Sequence, residues 1–267
     1  MIVAGFARVE PYLYEAAKEY PDQMFFNFDY SNPEELSNVF AVNYAMSDLG
    51  YVAGVLSSLI TTSDMPKANE EKKVGVVVGE DSEYMNDFIG GYCQACTEQG
   101  VQVSLSYTSS FVDAAKAKEQ ALAMYNDGVD IIWQVAGGAG LGVFEAAADA
   151  GRYALGVDSD QSTAYAGQPQ IAETIVTSMI KDCGKGLVYA AELMMNDEYP
   201  AGTLQTLGVQ EEAIAVADND QYQNEVPEEI RKQVSEVFEK IASGEIKPYS
   251  VIEEPEKWEE IKNAATK

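Results

Sequence analysis

Two carboxylates flank a serine at Asp158-Ser159-Asp160, and about twenty residues ahead of them runs a glycine-rich turn, Gly137-Gly138-Ala139-Gly140-Leu141-Gly142, just after Trp133. A carboxylate at a strand end accepts two hydrogen bonds at once and suits a vicinal diol. Glycines at the same end leave backbone amides open to a ligand, and an indole offers a flat face to a heterocycle. The chemistry on offer is the binding of a hydroxylated ligand such as a sugar or a riboside. Each residue also has a plainer reading. Trp133 lies in an apolar run and can pack in a core, and Asp158 can cap the turn that follows it.

The elements that must position these residues form a repeating pattern. An apolar strand at 130–136, the glycine turn, a helix at 143–150 and a strand at 153–157 make a strand-helix-strand unit with glycines and carboxylates at one end. Upstream the alternation is the same: strand 74–78, helix 83–99, strand 101–107, helix 114–126. Strands alternating with helices of this length imply right-handed crossovers and a parallel sheet. Each strand ends in polar or glycine residues, so Gly79-Glu80-Asp81, Thr108-Ser109-Ser110, Gly137-Gly138 and Asp158-Ser159-Asp160 should line one wall of a cleft.

The remaining chain is read in the same way. Strands are expected at 1–6, 23–28 and 38–43, with a helix at 10–20 and another after Asp48. A charged connector follows at 67–73. Beyond Asp160 one long helix is expected over 172–195, because Ala172, Val176, Met179, Cys183, Leu187, Ala190 and Met194 share a helical face. Thr177 and Lys181 then point nearly opposite, which makes Lys181 a solvated lysine on its own evidence. A last strand is expected at 203–209 and a charged helix at 227–243, with proline in its first turn and Gly244 at its end.

Composition removes several functions. The chain has 267 residues, enough for about two domains. Its 44 acidic against 17 basic residues, a net charge of -27, repel phosphate backbones and anionic lipid headgroups, so nucleic acid is not a partner. The absence of histidine excludes Ser-His-Asp and Cys-His nucleophile systems, His-ligated zinc and a histidine base. Three cysteines do not make a disulfide framework, and Cys93 and Cys96 fall on one apolar helix face with Met85, Phe88, Ile89 and Tyr92. The glycine turn fails as a dinucleotide site, since Val143 stands where a third small residue is needed, so no cofactor is expected. No signal peptide is visible, and the apolar helix at 49–60 is too short and too rich in Ser and Gly to span a bilayer, so the chain as written reads as soluble.

The segments SYTSSFVDAAKAKEQALAMYNDGVDIIWQVAGGAGLGVFEAA, YALGVDSDQ, IVTSMIKD and IASGEIK resemble the basic membrane protein family of ABC-transporter substrate-binding lipoproteins, purine nucleoside receptor type. The similarity extends over essentially the whole chain. It implies a type I periplasmic-binding-protein fold: α/β, with two doubly wound parallel-sheet lobes joined at a hinge by three crossings. Such a protein closes on a purine nucleoside such as adenosine, guanosine or inosine in the interlobe cleft. It presents that ligand to ABC permease subunits without catalysis, cofactor or metal. The expected division is 1–43 plus 162–198 for the first lobe and 44–161 plus 199–267 for the second.

The resemblance also implies roles. Asp158 matches the aspartate that holds the ribose hydroxyls, and Lys181 matches a lysine that reaches the sugar, which reverses the solvated reading. Gly137 and Gly138 match the turn beside the ligand, and Trp133 matches an aromatic that stacks on the base. Asp81 matches an acidic residue after a second-lobe strand, although its loop, GEDSEYMNDF, departs from the family's proline-containing one. Family members are extracytoplasmic and lipid-anchored; a signal peptide and anchor cysteine have no counterpart in this chain.

The family's opening strand and helix, with an Asp/Asn pair and a Phe, also lack a counterpart ahead of MIVAGF. The first lobe is therefore expected to be incomplete, short of about two strands and two helices, and either damaged, completed by a partner (a homo-oligomer included) or altered in arrangement. On that expectation the chain alone binds a nucleoside more weakly than at micromolar level, through the second lobe's residues, and micromolar binding would contradict a half-missing site. Two other readings stand beside this one. A cytoplasmic sensor or regulator of the same fold would bind another riboside or sugar. An enzyme, either a nucleoside hydrolase or an NAD-dependent one, would have only Asp158 and Asp160 as bases.

Overall fold

The computed structural model describes residues 1–5, 9–29 and 36–267. In chain order the strands are β1 (Ile2–Gly5), β2 (Phe25–Phe28), β3 (Val39–Tyr44), β4 (Lys73–Val78), β5 (Gln102–Tyr107), β6 (Ile131–Val135), β7 (Tyr153–Asp158), β8 (Ile175–Lys181), β9 (Leu204–Leu207) and β10 (Ile214–Val216). The helices are α1 (Glu10–Glu19), α2 (Met46–Thr61), α3 (Glu83–Glu98), α4 (Ala114–Asn126), α5 (Leu141–Ala150), α6 (Pro169–Ala172), α7 (Cys183–Met195), α8 (Asp220–Glu225), α9 (Glu228–Ala242) and α10 (Trp258–Thr266). The chain divides into two compact units, Met1–Ala45 with Lys181–Ile214 and Met46–Ile180 with Ala215–Lys267.

The first unit is built on a parallel sheet of order β1-β2-β3-β9. Alternation along FFNF and VFAV sends side chains to both faces. On one face α1 packs Leu13, Tyr14 and Ala17 against Phe25 and Val39. On the other, the Phe26 and Phe40 rings lie 5.4 Å apart, and Tyr189 of α7 and Tyr199 pack against Phe40. Among the described residues β1 is an edge strand, with Ile2 and Val3 exposed. Phe6, the last residue of the strand expected at 1–6, lies outside the described residues.

The second unit carries a sheet of order β10-β8-β7-β6-β4-β5, parallel from β5 through β8. Its inner strands are continuous apolar runs such as KVGVVV and IIWQV, because helices cover both faces and no side needs to be polar. One cluster gathers Ala117, Ala121 and Met124 of α4 with Val143, Phe144 and Ala147 of α5 over Val77 and Ile132 of the sheet. On the opposite face α3 packs Phe88 and Tyr92 against Trp133.

The structure corrects one expected element. The stretch 172–195 is not a single helix but the end of α6, then the strand β8, then α7. The β-branched run Ile175-Val176-Thr177 is buried on both faces between β7 and β10, and Asp182 restarts the helix by accepting a hydrogen bond from the Lys185 amide. The compact units differ accordingly from the division read in the sequence. Residues 162–180 go with the second unit, where β8 pairs with β7, and residues 199–214 go with the first, where β9 pairs with β3.

Candidate ligand site

Parallel pairing brings the carboxyl ends of β4, β5, β6 and β7 to one edge of the second unit's sheet. At the end of β7, Asp158 is exposed and takes a left-handed backbone conformation, φ 67. Asp tolerates this conformation better than most residues, and it turns the carboxylate off the strand. The strand end is fixed from behind, where Gln161 Oε1 accepts from the Val157 amide at 2.9 Å and from Gln134 Nε2 at 2.5 Å. The capping role falls to Asp160 instead. Its Oδ1 accepts from the Ser162 amide and hydroxyl and from Asn219 Nδ2, at 3.2, 2.7 and 3.0 Å.

At the end of β6 the exposed pair Gly137 and Gly138 opens a tight turn, Gly137–Gly140, that leads into α5. Gly137 has φ 54, where a side chain would be strained. After β4 comes Gly79, where an added Cβ would overlap the ring of Phe111. Phe111 is half-buried, and its carbonyl accepts from the Ala139 amide at 2.9 Å, which ties the loop after β5 to the glycine turn. Two residues beyond Gly79, Asp81 is exposed, with Oδ1 accepting from Asn86 Nδ2 at 2.7 Å. One sheet edge therefore gathers Asp158, Gly137, Gly138, Asp81 and Phe111.

Trp133 is not part of that edge, which corrects its expected role as a base platform. The ring is fully buried and stacks on Tyr92 at 5.5 Å, and Nε1 donates to the Gly156 carbonyl at 3.1 Å. A residue of a central strand directs its side chain to a covered face, so the packing alternative is the one realised. The aromatic that does reach the edge, Phe111, went unread because periodicity does not place a loop residue. The available cue was glycine after two neighbouring strands, where a ring needs room.

Lys181 belongs to the first unit. Its Nζ lies 2.7 Å from Asp29 Oδ1, with both side chains buried, and 5.9 Å from the centroid of the Tyr44 ring. The solvated reading of this lysine is thus overturned by burial and pairing. Elsewhere, Cys93 and Cys96 are free and buried in α3, and burial pushes the Cys93 thiol up to about 12, which keeps it unreactive. Among the described residues no cluster of His, Cys, Asp or Glu could hold a metal ion, and no helix is long and apolar enough to cross a membrane.

The sequence profile of a family described as "ABC transporter substrate-binding protein PnrA-like" matches residues 1–248. This chain belongs to that family. Among its relatives, the "ABC transporter nucleoside-binding protein BmpA" of Lactococcus lactis subsp. cremoris is 31% identical over 206 residues, which cover 72% of this chain and 56% of the relative. "Basic membrane protein A" of Borreliella burgdorferi is 26% identical over 238 residues, covering 86% of this chain and 65% of the relative. The chain thus spans 56% to 65% of the length of these two relatives. Among solved structures, an ABC-transporter solute-binding protein from Aeropyrum pernix K1 superposes with a TM-score of 0.80 at 21% identity, over 98% of this chain and 83% of the other. That likeness shows the periplasmic solute-binding fold.

Proposed function

We propose that this chain is the solute-binding component of an ABC importer, that its ligand is a purine nucleoside, and that it acts by binding without catalysis. The observation that carries the reading is the exposed carboxylate of Asp158, set at the end of β7 in a left-handed conformation on the same sheet edge as the Phe111 ring. A carboxylate and a flat ring on one edge are complementary to the two halves of a nucleoside. Asp158 accepts hydrogen bonds from the ribose hydroxyls, and Phe111 offers its face to the base.

Gly137 and Gly138 keep the intervening edge low, so that the sugar can approach the backbone. The relative named as a nucleoside-binding protein supports the same ligand class. The family role supports delivery to permease subunits on the extracytoplasmic face, from a lipid-anchored protein.

Calorimetry with adenosine, guanosine and inosine, run beside arabinose and glucose, tests the proposal. Saturable heat from at least one nucleoside and none from the sugars is the expected result. Sugar binding without nucleoside binding would overturn it.

A further inference from the structure

Behind the sheet edge lies a three-membered hydrogen-bonded chain that the ligand reading does not use. The Tyr107 hydroxyl, at the end of β5, donates to Asn86 Oδ1 at 2.7 Å, and Asn86 Nδ2 donates to Asp81 Oδ1 at 2.7 Å. Asn86 is buried in the first turn of α3, with its amide bonded to the Ser82 carbonyl at 2.8 Å. Asp81 is exposed in the loop before that helix.

Resting on the nucleoside reading above, we propose that Asn86 is a positioning residue that holds the Asp81 carboxylate as an acceptor for an N–H of the ligand's base. The direction of the chain follows from its chemistry. An asparagine amide has a donor end and an acceptor end, and a carboxylate on one side requires the donor end there. The acceptor end then faces Tyr107, whose hydroxyl must donate. A flipped amide would set oxygen against carboxylate. Burial raises the Tyr107 hydroxyl well above its ordinary range, so the donor keeps its proton throughout the working pH.

Each bond in such a series polarises the next, and the loop carboxylate is tied to a rigid helix. Asn86 fastens one oxygen of Asp81, and the other remains to meet a ligand donor. Gly79, two residues earlier, admits the Phe111 ring, so a base lying on that ring has its N–H edge near the Asp81 loop.

A double-mutant cycle on the full chain separates positioning from a merely structural role. Inosine affinity is measured by calorimetry for the unaltered chain, Asn86→Ala, Asp81→Ala and the double variant. Asn86→Ala is expected to weaken binding about 10-fold, and the double variant should be no weaker than Asp81→Ala alone. Tyr107→Phe should weaken binding by a smaller factor and have no effect on top of Asn86→Ala.

The Asn86 side-chain amide gives a second readout without ligand: its exchange should be slow in the unaltered chain and fast in Asp81→Ala. An additive cycle, or an amide indifferent to Asp81, would overturn the positioning role while leaving the ligand reading intact. If the unaltered chain binds none of the three purine nucleosides, the ligand reading fails and this role fails with it.

Discussion

The Lys181 ammonium stands 2.7 Å from the Asp29 carboxylate, and both side chains are buried in the first compact unit. The two are 152 residues apart in sequence, so the pair joins distant stretches of the chain within that unit. A buried pair of this kind contributes little relative to apolar residues of the same shape, but breaking it strands a charge. Lys181→Met should therefore destabilise the fold by about 3 kcal/mol in denaturant unfolding, and Asp29→Asn combined with Lys181→Met should destabilise it by less than the sum of the single changes. Additive losses would show that the two charges are not coupled.

Asp48, in the first turn of α2, is predicted to make stability fall with rising pH. Burial and then the neighbouring carboxylates Asp87 and Glu253 raise its pKa from 3.8 to about 6. The folded state therefore favours the protonated acid. The favourable contribution is fully present below the unfolded value near 4 and is lost as pH rises through 6. Asp48→Asn should be more stable than the unaltered chain by about 2 kcal/mol at pH 7.5, and the gap should close by pH 4. Thermal melts of both proteins across that range check this. A constant gap would assign the effect to packing.

Phe111 and Trp133 should respond in opposite ways to truncation. Trp133→Ala opens a cavity under α3 and should cost about 3–5 kcal/mol of stability. Phe111→Ala removes a half-buried ring and should leave the melting temperature nearly unchanged while weakening nucleoside binding about 10-fold. Paired melts and calorimetry on the two variants separate the roles.

The contrast between these two residues also shows what the sequence could and could not disclose. The second unit's sheet was legible because its inner strands are apolar runs, its strands end in glycine or polar residues, and its helices are long enough to cross over. The carboxylate at 158 was legible from the same alternation. The strand at 175–181 was not, because a strand buried on both faces has no period of its own, and its residues fall by chance on a helical stripe with those of α7. Trp133 was ambiguous for a related reason, since an apolar run does not reveal which face a helix covers. Phe111 was hidden because its position depends on the gap at Gly79, which is a relation between two loops.

Replacing Asp158 should separate chemistry from backbone. Asn adopts φ 67 as readily as Asp, so Asp158→Asn should melt within about 1 °C of the unaltered chain, whereas Asp158→Ala should lose about 1 kcal/mol to the left-handed conformation. Thermal melts of the two variants check this. Equal losses in both would mean that the charge contributes to the fold.

On the proposed function, Asp158 holds the hydroxyls of a ribose. The most direct test of that role is calorimetry of inosine against 2′,3′-dideoxyinosine, with the unaltered chain and with Asp158→Asn. The dideoxy compound should bind the unaltered chain at least about 10-fold more weakly, and Asp158→Asn should bring both ligands to the same low affinity. Equal binding of the two compounds by the unaltered chain, or a preference for inosine that survives in Asp158→Asn, would contradict it.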